Sequence, residues 1–405
     1  MNVRKMGLTY LLLLSGLLAF GLVLPGSVLA KDFIKLGYGI SLTGKYAPGA
    51  TGQIEAYDLW LKKVNEKGGI YLRQYGKKLP IKVTQYDDKS SADSAIKIYE
   101  KLITNDEVDL LLAPYSTAIH YAIAPVIERF KIPLVGATCG TYKFKKELKP
   151  KYFWLVDAPT MGDVQAVATV DLLKSLNVKT VALIVTQEQY PQEMYTYLKP
   201  TLQNQKFNIV MDKDFPFGAK DHTGLLLQVK EKNPDAFLVL CYPADAYTIT
   251  TQIQEVGYNP KLFFLQVGPC TVTFEPKFGA AVNGIMGVGR WSPKAPFPGA
   301  KEFHDDYVAN FKRKPDYFNS TSAYCSAQVL EQAVEKAGTL DREAIKKIID
   351  TMTFQTIEGP VKFEGSSNVG VPAMVVQWIN REVEIIWPPQ FQTSKPLFPK
   401  PAWPK

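Results

Sequence analysis

Cysteine and histidine are scarce in this chain, with four Cys and three His among 405 residues. Cys139, Cys241, Cys270 and Cys325 stand far apart without a C-x-x-C pair, so no zinc site is signalled. His120, His222 and His304 are isolated, which argues against a metalloenzyme or a hydrolase built on a histidine base. A G-x-S-x-G elbow and a Walker lysine are missing. Gly37, Gly39 and Gly44 follow an apolar run but miss the G-x-G-x-x-G spacing, so nucleotide binding has no support. Asp87-Asp88 falls at a turn, where capping the backbone is the default role of carboxylates. The expectation is therefore no enzyme, no metal and no cofactor.

Basic runs interleaved with aromatics are also missing, so nucleic acid is not an expected partner. The formal charge is +8, from 47 basic and 39 acidic residues. Arg4 and Lys5 are the only charges of the first thirty residues; without them 45 basic residues face 39 acidic ones, a surplus of +6. A surplus that small over this length serves solubility. The lysines 143, 145, 146, 149 and 151 read as a solvated face, with a docking surface as the alternative. What is present, 46% hydrophobic residues with 28 Gly and 28 Pro, excludes a disordered, collagenous or disulfide-stapled chain. The length suggests two or three lobes.

Long apolar runs occur once. Arg4 and Lys5 precede Leu8–Leu24, then Pro25-Gly26 and the small-residue end Val28-Leu29-Ala30. This is the tripartite pattern of a secretory signal cleaved after Ala30. An uncleaved anchor is the alternative, since the run approaches the ~17–25 residues a tilted span needs. With no Cys before Cys139, an N-terminal lipid anchor is excluded. Export permits disulfides, though a chain this long does not need them.

Beyond residue 30 the pattern alternates. Apolar strand-like runs at Phe33–Ser41, Ile81–Tyr86, Val108–Ala113 and Ile132–Ala137 enclose helical periods at Ile54–Val64, Ala92–Ile103 and Thr117–Phe130. The alternation restarts with helices at Asp163–Leu176, Tyr190–Asn204, His222–Lys230 and Ala244–Val256, and strands at Thr180–Val185, Phe207–Met211, Ala236–Leu240 and Leu262–Val267. The expected fold class is α/β, with two Rossmann-like lobes built on parallel sheets. The last third holds helices at Lys301–Phe311, Ser320–Ala337 and Asp341–Met352 and short β runs at Val361–Glu364, Met374–Ile379 and Val383–Trp387. Pieces this small complete the earlier lobes, so the chain crosses between them more than once. The proline-rich tail from Trp387 is an extended strap that Phe391, Phe398 and Trp403 pin to the surface, with a PxxP ligand as the alternative.

Open parallel sheets bind ligands past the carboxyl ends of their strands. In the first lobe those positions are Ser41–Tyr46, with Tyr46 last, then Tyr115-Ser116-Thr117 and the stretch Thr138, Cys139, Gly140, Thr141. In the second lobe they are Gln189-Tyr190, Cys241-Tyr242 and Gln266–Cys270. Hydroxyl-rich, ring-rich and poor in charge, this set suits a small ligand with an apolar body and one polar head. Ser116 ahead of a helix marks an anion site for a carboxylate, or merely caps its own helix. Tyr190 and Tyr242 read equally as cleft walls or as packing aromatics.

Several segments together resemble the leucine/isoleucine/valine-binding proteins. They are Ser41-Leu42-Thr43-Gly44, Asn65-Glu66-Lys67-Gly68-Gly69-Ile70, Tyr86-Asp87-Asp88-Lys89 and Glu358-Gly359-Pro360-Val361-Lys362-Phe363-Glu364, in the family's order over nearly all of 31–387. The resemblance implies a type I periplasmic-binding fold and a solute-binding subunit of an ABC importer, partnered by a small-molecule ligand and a membrane permease, monomeric and periplasmic. It implies lobes at 31–155 plus 290–368 and 156–289 plus 369–405, joined by a multi-crossing hinge. Carried over by position, the carboxylate site falls on Ser116 and Thr117 with Thr138–Thr141 around it, and the opposite-lobe aromatics on Tyr190 and Tyr242. One position departs: where amino-acid binders place the acid for the ligand's ammonium, after Gly268-Pro269, this chain has Cys270, with neutral Gln266 and Thr271 nearby. A buried ammonium without a counter-charge costs several kcal/mol. The expected ligand is thus an aromatic or aliphatic acid ahead of a branched-chain amino acid, unless Asp157, Asp245 or Glu275 swings in. A ligand sensor of the same fold is the alternative function, and a hydrolase comes third.

Overall fold

The computed structural model describes residues 31–404; the signal-like segment at 1–30 lies outside the described residues. Two parallel-rich sheet systems organise the chain. In the first lobe Ile34–Ile40 runs parallel between Ile81–Asp87 and Leu110–Leu111. Leu134–Gly136 pairs parallel with Phe153–Leu155, and three strands from far along the chain complete that sheet: Ser367–Asn368, Gly359–Glu364 and Thr353–Thr356. The second lobe is a seven-stranded sheet. Its five parallel strands run in the order Asn208–Phe215, Thr180–Thr186, Ala236–Leu240, Phe263–Phe264, Ile285–Val288. The antiparallel hairpin Val375–Ile379 and Glu382–Trp387 extends it at the edge.

The central strands are apolar because they are covered on both faces: Ala236–Leu240 is buried at every residue. The helices face them with amphipathic stripes. Ala92–Thr104 buries Ala95, Tyr99, Leu102 and Ile103, and Ser91 caps it by accepting from Ser94 N–H at 3.4 Å. Two apolar runs are shorter as strands than their sequence suggests. Val108–Ala113 contributes only Leu110–Leu111 to the ladder and Leu262–Val267 only Phe263–Phe264. Pro114 has no N–H to donate, and Gln266 turns the backbone to φ +46°, so both strands stop where the loops toward the cleft begin. The hairpin Ile70–Leu72/Lys77–Leu79 and the strand Ile285–Val288 had no period long enough to mark them.

The proline-rich tail makes one short 3₁₀ turn, Pro389–Phe391, and then runs as a strap across the second lobe at the amino ends of its parallel strands. Gln377 exchanges two hydrogen bonds with the Leu397 backbone, at 2.8 and 3.0 Å, and Lys400 N–H donates to Lys261 O at 2.7 Å. Trp403 Nε1–H donates to Tyr258 O at 2.8 Å with its ring 6.3 Å from Phe263, and Phe391 lies 6.0 Å from Phe297. Among the described residues no helix is long and apolar enough to cross a membrane.

Candidate functional site

The strand ends of the first lobe are shaped by strained backbone. Ser116 stands ahead of the helix Thr117–Phe130 at φ 76°, ψ 146°, a region almost reserved for glycine. Its Oγ accepts from Ile119 N–H at 3.5 Å, and its carbonyl accepts from His120 N–H and His120 Nδ1–H, the latter at 2.8 Å. Burial pushes the His120 imidazole down to about 4, so the ring stays neutral and serves the loop. Thr138 is the second strained position, at φ +57°, and its hydroxyl donates to Gln53 Oε1 at 3.0 Å. Gln53 Nε2 in turn donates to Ala113 O and Pro114 O at 3.0 and 2.8 Å, so one buried amide holds the loops after two strands in register. Gly140 N–H donates to Thr117 Oγ1 at 3.4 Å, and Cys139 N–H to Asp157 Oδ2 at 3.3 Å.

Across the cleft the second lobe answers with rings and carboxylates. Tyr190 donates to Thr160 O at 3.0 Å, and its ring lies over Gly140 so closely that a Cβ there would sit 2.7 Å from Tyr190 Cε2. Tyr115, Tyr46, Tyr242 and Phe217 form a chain of rings from one lobe to the other, with successive centroids 6.1, 5.9 and 6.3 Å apart. Tyr115 itself fits only because residue 49 is glycine; a Cβ there would lie 2.0 Å from its hydroxyl. Glu188 accepts from Lys45 Nζ at 2.6 Å and from Tyr46 Oη at 3.0 Å, while the Lys45 ammonium lies over the Tyr46 and Phe217 rings. Glu193 accepts from Thr141 Oγ1 at 2.7 Å and Tyr142 N–H at 3.1 Å. Two carboxylates of one lobe thus grip the other. Burial raises the pKa of all four tyrosine hydroxyls, keeping these rings protonated and neutral.

All eleven sequence-derived site residues are buried. Those of the first lobe meet those of the second at two seams, Tyr46 with Tyr242 and Gly140–Thr141 with Tyr190 and Glu193. The Cys270 thiol faces Val288 O at 3.8 Å, and burial raises its pKa, so it carries no charge. Of the acids that could replace it, Asp157 is engaged by Arg290 and Ser322, each at 2.7 Å, and Glu275 by Arg381 at 2.5 Å, while Asp245 accepts only from Gly218 N–H and keeps Oδ2 without a partner. Arg290 also pairs with Glu358 and donates to Val156 O, which ties three stretches of chain together between the lobes. Burial raises the Asp157 carboxyl above the usual carboxylate range against the pull of the guanidinium. Sequence reasoning missed Glu188, Glu193, Gln53 and Arg290. Glu188 alone had a signal, its place two residues before Tyr190.

Two parallel-rich lobes meeting along a ring-lined seam are the architecture of a two-lobed binding protein. Its sequence agrees: a family model described as "Periplasmic binding protein" matches residues 34–382, and the chain belongs to that family. Membership places it outside the cytoplasm. The "Leu/Ile/Val-binding protein homolog 7" of Brucella suis is 20% identical, over 95% of this chain and 98% of that protein. Among solved structures, the branched-chain amino acid binding protein LivJ of Streptococcus pneumoniae in complex with isoleucine is 22% identical, with a TM-score of 0.77 over 88% of this chain and 100% of that one. A solute-binding protein of an ABC transporter from R. palustris in complex with benzoate is 18% identical, with a TM-score of 0.76 over 87% of this chain and 95% of that one.

Proposed function

We propose that the mature protein, released after Ala30, is the solute-binding subunit of an ABC importer, trapping a small carboxylate between its lobes and delivering it to a membrane permease. The lobes are 31–155 plus 290–368 and 156–289 plus 369–405. The ligand's carboxylate lies at the head of the helix Thr117–Phe130, held by Ser116, Thr117 and free N–H groups of the first turn, with Thr138, Cys139 and Thr141 behind them. Tyr46, Tyr115, Tyr190 and Tyr242 wall its apolar body, and Gln266 and Cys270 complete the second-lobe side. The observation that carries this reading is the seam itself: rings and carboxylates past the strand ends of both lobes meet there. Such contacts form only when the lobes close, so a guest that adds to them shifts the population toward closure. A neutral Cys270, with Asp157 and Glu275 already engaged, favours an acid over an amino acid, whose ammonium would have only Asp245 to pair with. The relatives span both chemistries, one in complex with isoleucine and another with benzoate.

The test is a melt of residues 31–405 against a library of acids and amino acids. Aromatic or aliphatic acids should raise the melting temperature more than leucine or valine; a strong response to leucine and none to acids reverses the choice of ligand. In Ser116→Ala the affinity for the best acid should fall by about tenfold, the worth of one charge-assisted hydrogen bond. Unchanged affinity would leave Ser116 as a helix cap.

A further inference from the structure

Gln266 stands where the strand Phe263–Phe264 runs out toward the cleft, and its backbone turns there at φ +46°. A residue with a Cβ holds such backbone only where its surroundings require it. The side chain is fully buried, yet its amide is nearly unpaired. Oε1 has no hydrogen-bond partner, and Nε2 reaches only Met194 Sδ, at 3.3 Å. A thioether is a weak acceptor, so the amide keeps an acceptor and a donor unmet. Native interiors rarely leave such groups unmatched. Met194 lies one helical turn beyond Tyr190, on the same face of Gln189–Asn204, and Tyr190 covers Gly140 of the first lobe. The amide therefore belongs to the Tyr190 end of the cleft.

We infer that Gln266 reads a hydroxyl group on the ligand, so that the ligand class is a hydroxylated small acid. The inference rests on the carboxylate reading above and deepens it. A hydroxyl matches the unmet amide in both senses, donating to Oε1 and accepting from Nε2. An ammonium donates to Oε1 but has nothing to offer Nε2, and Arg290 and Arg381 already hold two of the three acids that could pair with it. A bare ring edge or methyl leaves both groups unmet. Sites built to hydrogen-bond a hydroxyl reject the analogue lacking it far more strongly than apolar pockets reject an extra methylene.

The experiment is calorimetric titration of the mature protein with two pairs of acids, benzoate against 4-hydroxybenzoate and butanoate against 2-hydroxybutanoate, so that one hydroxyl lies far from the carboxylate and one beside it. In at least one pair the hydroxylated acid should bind about tenfold tighter or more. In Gln266→Leu that preference should shrink to within about threefold. Leucine on left-handed backbone risks misfolding, so Gln266→Asn is made alongside: asparagine tolerates positive φ and withdraws the amide by one methylene. It should lose the preference while keeping the wild-type melting temperature. Equal affinities within both pairs, or a preference that survives in both variants, overturn the inference and leave the carboxylate reading standing. No binding of any of the four acids removes that reading, and this one with it.

Discussion

Ser116, Thr138 and Gln266 hold side chains on backbone at φ +76°, +57° and +46°, and all three lie in the loops that follow the carboxyl ends of parallel strands. Backbone of this kind costs about 1–3 kcal/mol per residue and clusters where a site demands it. No periodicity announces it; the residue types there are ordinary. Charge at this scale is better handled as proton linkage. Asp245, fully buried in the first turn of Pro243–Glu255, is pushed by burial from 3.8 up to about 6 although Gly218 N–H donates to it at 2.7 Å. Between pH 4 and 6 the folded state keeps a proton that the unfolded state releases, so this group's contribution to stability falls as pH rises through that window. Asp245→Asn keeps the acceptor for Gly218 and does not titrate. Denaturant melts should find it about 1–3 kcal/mol more stable than wild type at pH 7.5, with the difference nearly gone at pH 4.

At the scale of elements, helices were easier to read than strands. Thr117–Phe130 has the same bounds in the structure as in the sequence reading, because a cap, an apolar stripe and a stop signal all fall within one local window. Short strands carry no such window. Phe153–Leu155 and Thr353–Thr356 exist because a neighbouring strand supplies their hydrogen bonds, and that neighbour lies elsewhere in the chain. The tail was legible as an extended strap from proline alone, whereas its docking site was not. The Lys400 ammonium lies 3.5 Å over the Trp403 ring, and Trp403 bridges to Phe263 and Tyr258. Trp403→Ala should cost about 1–3 kcal/mol in denaturant unfolding, less than a fully buried tryptophan because the ring is only partly covered. Ligand affinity measured by calorimetry should not change, since the strap crosses the end of the sheet opposite the cleft.

For the whole molecule, the deciding contacts run between lobes. Glu188 with Lys45 and Tyr46, and Glu193 with Thr141 and Tyr142, join residues 51 to 143 positions apart. Exposed ion pairs add little to stability, about 0–1 kcal/mol, but an ion pair and hydrogen bonds present in only one of two arrangements bias which one is populated. Gly140 is the sterically strictest point of that seam. Gly140→Ala places a Cβ 2.7 Å from Tyr190 Cε2 when the lobes are together, and nothing opposes it when they are apart. Calorimetry should show ligand affinity reduced about tenfold or more, with the unliganded melting temperature within about 2 °C of wild type. A large fall in that temperature would mean that the glycine serves the first lobe's own packing.

The sequence by itself determined the α/β alternation, the helix faces, the family and the strand-end segments that meet at the seam. All of these depend on residues close together in the chain or on motifs of a few positions. Only the tertiary structure decided that Glu188 and Glu193 grip the opposite lobe, that Gln53 sets two loops at once, and that Arg290 binds Asp157 and Glu358 between the lobes. Each of those partners is chosen by where two distant strands bring their ends, and a carboxylate, an amide or a guanidinium has the same local signature whether it meets solvent or another lobe.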